Sequence, residues 1–243
     1  MLDHLILVII NFFTSALAGI TGLAGGTILL GLMPMFLSAS AIIPIHATTQ
    51  LASNVSRVWL GRRDVVLTYF RPFIVGALIG VLFFGMAVKF VKLDLIPLFI
   101  AFYILLTQWS GTVNRLLKSL ENFYLIGFVQ VGIGLFVGAP GPLHIPMLMK
   151  KYDNNDVIVS TGSLMMTVVH VFKLIVYIIL GFSFIEHWRL IVLMALSASF
   201  GSWVGVKLRN RLPMAWLKAT MPWLLSAIAI KIIYDNVDKL GVF

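Results

Sequence analysis

Apolar residues run through this chain in long blocks separated by short polar breaks. The blocks are Leu5–Ala18, Thr27–Leu37, Pro44–Leu60, Thr68–Phe90, Leu95–Thr112, Phe123–Val137, Pro142–Met149, Val157–Phe184, Leu190–Val206 and Ala215–Tyr234. A hydrocarbon core of about 30 Å needs about 20 residues of helix to cross, and most blocks approach that length. Backbone groups in lipid must bond within their own segment, so such blocks predict helices. A β-barrel would alternate apolar and polar residues in segments of about 10, and no such alternation is present. The expected fold is all-α and integral to a membrane.

Two blocks, Thr27–Leu37 and Pro142–Met149, are too short to cross alone, and each follows a glycine-rich break. The first break runs from Gly22 through Gly25 to Gly26, the second from Gly134 through Gly138 and Pro140 to Gly141. Gly22, Gly26 and Pro34 recur at identical spacing as Gly134, Gly138 and Pro146. With one residue inserted, Thr48-Thr49-Gln50 falls on Thr161-Gly162-Ser163 and Arg57 on His170, and the helix around Gly80 resembles that around Gly201. The chain reads as one unit used twice: residues 1–113 form a first membrane repeat, 114–122 connect, and 123–243 form the second. Short or interrupted segments at equivalent places in two halves point to a transporter binding site, built here from broken or re-entrant helix pairs.

Loop charge orients the repeats. If each short segment turns the chain back, by spanning or by re-entering, then Arg62, Arg63, Arg71, Arg115, Lys118, Lys150, Lys151, Lys207, Arg209 and Arg211 share one side. The other side holds only Lys89, Lys92, Arg189, Lys231 and Lys239. The positive-inside rule makes the crowded side cytoplasmic, places both termini outside and inverts one half relative to the other.

Composition narrows the function. Hydrophobic residues make up 60% and charged residues 11%, against about 45–50% and about 25% in soluble domains. A soluble domain is excluded. The formal charge of +9 belongs to loop lysines and arginines, and no aromatic-interleaved basic patch suggests nucleic acid. With no cysteine, disulfides, thiolate metal sites and thiol catalysis are excluded. No cofactor is expected. Met1–His4 carries an acid instead of a basic stretch, so no cleavable signal peptide is expected.

Polarity intrudes in the third block of each half. His46, Thr49, Gln50, Ser53, Asn54 and Arg57 are three or four residues apart and stack on one helical face. Ser163, Thr167, His170 and Lys173 repeat that spacing after Ser160-Thr161-Gly162. Hydroxyls and amides also glue membrane helices together, which is the plainer reading of Ser56 or Ser202 alone. A cation well inside a bilayer costs at least about 2.5–3.5 kcal/mol, so it pairs or lines a pathway. Arg57 either does so or snorkels towards Arg62 and the headgroups; Lys173 lies deeper. Every acid falls near a terminus or in a loop. A basic, donor-rich and acid-free interior suits an anion, and helix starts after Gly26 and Gly141 would add backbone N–H groups. The candidate substrate-binding residues are Gly25, Gly26, Thr48, Thr49, Gln50, Asn54, Arg57, Gly138, His144, Thr161, Ser163, Thr167, His170 and Lys173. The histidines have no carboxylate or cysteine at metal-ligand spacing, and no serine sits in a nucleophile motif, so no enzyme is expected.

Gly22-Leu23-Ala24-Gly25-Gly26, then Pro34 and His46-Ala47-Thr48-Thr49, resembles the repeat signature of the sulfite exporter TauE/SafE family of membrane transporters. The resemblance covers both repeats. It implies a two-repeat helical carrier of sulfite, thiosulfate or small organosulfonates in the bacterial cytoplasmic membrane. It also implies site roles for Gly25, Gly26, Pro34, Thr48, Thr49, Gly138, Pro146, Thr161 and Ser163. Thr49 stands where serine is common, and the second turn is reduced to Gly138-Ala139-Pro140-Gly141. The expected partners are a small anionic substrate and the lipid bilayer, with a homodimer allowed. Rival readings are a carrier of another small anion, a carboxylate or an inorganic oxyanion; a non-transporting membrane subunit or sensor; and an intramembrane enzyme.

Overall fold

The computed structural model describes residues 2–22, 25–139, 141, 143–209, 211 and 215–237, with the side chains of all but 114, 118 and 215–218. These residues form helices α1 (Leu2–Thr21), α2 (Gly25–Leu32), α3 (Ala39–Leu60), α4 (Phe70–Phe84), α5 (Ile96–Trp109) and α6 (Gly111–Lys118). They continue as α7 (Phe123–Val137), α8 (Ile145–Met149), α9 (Asn155–Ile179), α10 (Trp188–Leu208) and α11 (Ala215–Asp235). No strand occurs among the described residues. The fold is that of an all-α membrane protein.

Most blocks became helices close to their expected bounds. α3 starts at Ala39, ahead of the apolar block, with Pro44 inside it; so near the start, a proline removes one bond of the ladder without ending the helix. α6 was not foreseen. Ser110 begins it, its Oγ accepting from the Val113 N–H at 3.2 Å, a side-chain cap that the apolar pattern hides. The block Val157–Phe184 is divided, because α9 stops at Ile179 and Gly181 takes φ 86°. Pro142, at the start of the seventh block, lies outside the described residues.

Among the described residues, four helices, Leu2–Thr21, Phe70–Phe90, Asn155–Ile179 and Phe184–Leu208, are long and apolar enough to cross a membrane, and a fifth span arises if a bent pair counts as one. Large apolar side chains of α4 and α10, including Leu82, Phe83, Leu196 and Phe200, face outwards. Water would penalise such a surface; lipid accommodates it. α3 has 22 residues but carries the polar stripe, and that stripe is buried.

The helices pair across the halves. α1 packs on α10, α4 on α7, α3 on α9 and α5 on α11. The first helix of each half thus meets the fourth of the other, a pattern unchanged if the halves are exchanged. Glycines set both contacts. A Cβ on Gly76 or Gly80 would fall on the backbone of Tyr124 or Phe128, and one on Gly201 or Gly205 on that of Phe12 or Ala16. Such small-xxx-small rows let membrane helices approach closely. The contacts match Gly76 with Gly201 and Gly80 with Gly205, one turn away from the sequence match of Gly80 with Gly201.

Direction follows from these contacts. α4 and α7 run parallel, as do α1 and α10. α3 and α9 run antiparallel, since Gly61 meets Ser160 while His46 meets His170. The ends of α1, α3 and α10 and the start of α9 therefore gather at one pole. There Arg209 Nε donates to the Gly19 carbonyl at 2.9 Å and Nη1 to Asp156 Oδ1 at 2.7 Å. The same pole carries Arg62 and Arg63, which follow the end of α3.

Candidate functional site

Where α3 crosses α9, the two breaks border a cavity of about 50 Å³. That is several times the roughly 10–15 Å³ one water needs. Seven of the expected residues line it: Gly26, Gln50, Asn54 and Arg57 from the first half, and His144, Ser163 and His170 from the second. No carboxylate is among its lining residues.

Arg57 is 5% exposed and turns inward, not towards the headgroups. Nε donates to the Ser53 carbonyl at 3.3 Å, Nη1 to the Ala18 carbonyl at 3.1 Å and Nη2 to Asn54 Oδ1 at 2.8 Å. Asn54 is itself held by its amide N–H to the Gln50 carbonyl at 2.7 Å. All these acceptors are neutral, so the guanidinium keeps its charge uncompensated at the cavity wall. Gln50 Nε2 is buried with no partner among the described residues, which leaves another donor nearby.

The breaks bring backbone to the same place. Gly22 ends α1 with φ 69°, and Gly138 ends α7 with φ 88°. Residues with a Cβ rarely adopt that conformation. The second break therefore starts at Gly138, while Gly134 remains inside α7. α2 begins at Gly25, and Gly26 and Thr27 reach the cavity. α8 has only five residues, too few to present the helix dipole expected after Gly141.

The other expected residues sit around the cavity without lining it. Gly25 packs under α1, where a Cβ would strike the Thr14 carbonyl. Thr48 Oγ1 donates to the Ile45 carbonyl at 2.7 Å and Thr167 Oγ1 to the Ser163 carbonyl at 2.9 Å. Thr161 Oγ1 accepts from the Val66 N–H at 3.0 Å, tying α9 to the loop after α3. Thr49 is buried, its hydroxyl without a partner among the described residues. Lys173 is fully buried and donates from Nζ to the Gly138 carbonyl at 2.5 Å. It thus holds the second break in place. Lys173→Met leaves that carbonyl unpaired, and the expected loss is about 1–3 kcal/mol, read as a lower melting midpoint in detergent. An unchanged midpoint would make the tie inert.

Gln130 was missed. It is fully buried on α7, and its Oε1 lies 3.1 Å from His144 Nδ1 while Nε2 donates to the Gly141 carbonyl at 3.2 Å. It therefore fixes His144 against the broken segment. A lone amide in an otherwise apolar helix was the available signal. Gly141, Gly162, Thr27 and Met166 also line the cavity.

A family model described as Sulfite exporter TauE/SafE matches residues 7–232. No curated protein and no solved structure matches the chain.

Proposed function

This chain belongs to the sulfite exporter TauE/SafE family, and we propose that it is a secondary carrier of a small sulfur oxyanion: sulfite, thiosulfate or an organosulfonate. The observation that carries this reading is the acid-free cavity with Arg57 in its wall. A sulfite or sulfonate group presents three acceptor oxygens. Arg57, the Gln50 amide and the Ser163 hydroxyl supply donors from both halves. A guanidinium is also the cation least costly to strip of water and the best suited to oxyanion geometry.

Transport follows from where the site lies. It sits between two halves whose third helices cross antiparallel and whose first and fourth helices pair reciprocally. Those features support an inverted relation between residues 1–113 and 123–243, in which one half rocks against the other and exposes the anion alternately to each side. The arginine-rich pole would face the cytoplasm across the inner membrane.

The test is thermal stabilisation of detergent-purified protein by sulfite, thiosulfate and a small sulfonate, against matched neutral analogues. A ligand that binds only the folded state stabilises it by RT ln(1 + [L]/Kd), about 2.7 kcal/mol at a hundred times Kd. A saturable rise with the anions alone is expected. A rise with carboxylates instead would reassign the substrate. No rise with any anion would favour a partner-binding membrane subunit.

A further inference from the structure

We propose that the cavity takes up its anion together with one proton, held on the His46–His170 pair. The inference rests on the carrier reading above and adds its coupling ion. The two imidazoles face each other across the crossing of α3 and α9, ring centres 6.1 Å apart. Both line the cavity and both are buried. His46 Nε2 lies 2.9 Å from the Gly26 carbonyl oxygen. A carbonyl only accepts, so that nitrogen carries the hydrogen, and Nδ1 of a neutral ring is a bare lone pair. Nδ1 has no partner among the described residues, and neither nitrogen of His170 has one.

The surroundings decide when that lone pair fills. His46 is faced by the Gly26 carbonyl from α2 and by His170 and Lys173 from α9; His170 is faced by His46 and Arg57 from α3, with Lys173 on its own helix. Every charged group in this set is a cation. A proton added to the empty pair would enter a buried site beside Arg57 and Lys173 with nothing negative to offset it. An oxyanion in the cavity supplies the offset and accepts the new N–H. Anion and proton therefore favour each other, and the coupling is reciprocal. The unpartnered nitrogens, which a purely structural pair would be expected to satisfy, have a use in this state. The proton comes from water at the open side of the carrier and leaves with the anion.

The test is calorimetric titration of the full-length protein in detergent with thiosulfate, and with sulfite in alkaline buffer where it is fully ionised. Neither probe then brings a proton of its own. Repeating each titration in buffers of different ionisation enthalpy counts the protons taken up. One proton per anion is expected, with apparent affinity weakening about tenfold for each unit of rising pH. His46→Gln and His170→Gln are expected to bind more weakly and to lower the proton count towards zero. Anion binding with no proton uptake by the unmodified protein would overturn the coupling and leave the carrier reading standing. Binding of neither anion would overturn both.

Discussion

Arg57→Gln is expected to weaken anion binding by about thirty- to several-thousand-fold, equivalent to the roughly 2–5 kcal/mol lost when one partner of a buried charge pair is truncated. A guanidinium has five N–H groups, and three are engaged by Ser53, Ala18 and Asn54. Those bonds aim the group, and the two remaining N–H groups are available to an oxyanion. Among the described residues, no other permanently charged side chain lines the cavity. Arg57→Lys separates charge from geometry, because lysine keeps the charge and loses the planar fork. It should bind the anion more tightly than the glutamine variant and less tightly than the unmodified protein. Calorimetric titration reads the affinities, and the melting midpoint without anion shows whether each variant folds. A folded Arg57→Gln protein with unchanged affinity would remove Arg57 from the site.

Part of the polar stripe legible on α3 lines the cavity, and less of the one on α9 does. Spacing of three and four places His46, Gln50, Asn54 and Arg57 on one stripe, and that stripe lines the cavity. Periodicity identifies a stripe but does not fix how a helix is rotated against its neighbours, and one residue is about 100° of turn. Hence Ser163 and His170 meet the cavity, while Thr161 turns to Val66 and Lys173 to the Gly138 carbonyl. Both partners lie far away in sequence, and local spacing holds no trace of them. The ends of α1 and α7 show the same limit. Glycine density marked two breaks, but glycine is also used where membrane helices pack closely. Gly134 stays helical and Gly138 takes the positive φ; which glycine breaks the chain is decided by what packs beside it.

That double use of glycine underlies the other large effect. Gly205→Leu and Gly76→Leu are each expected to prevent recovery of folded protein, and the corresponding alanine variants to lower stability by about 1–3 kcal/mol or more. A Cβ on Gly205 meets the Ala16 carbonyl of α1, and one on Gly76 meets the Tyr124 carbonyl of α7. Neither obstacle is the end of a flexible side chain that could swing away, so the helices themselves must separate. Separation would strip the close packing that holds membrane helices together, where apolar burial offers little help. Gly111→Ala is the control: nothing lies within 4 Å of its added Cβ, and a change within about 0.5 kcal/mol is expected. The paired alanine variants also test the relation between the halves. Gly201 is the counterpart of Gly76 in the reciprocal contact, where its Cβ would meet the Phe12 carbonyl, so if the repeats are mechanically equivalent Gly76→Ala and Gly201→Ala should lower the melting midpoint by similar amounts. A large fall in one and none in the other would mean that a single half carries the packing, and a carrier that works by rocking two equivalent units would lose its structural basis.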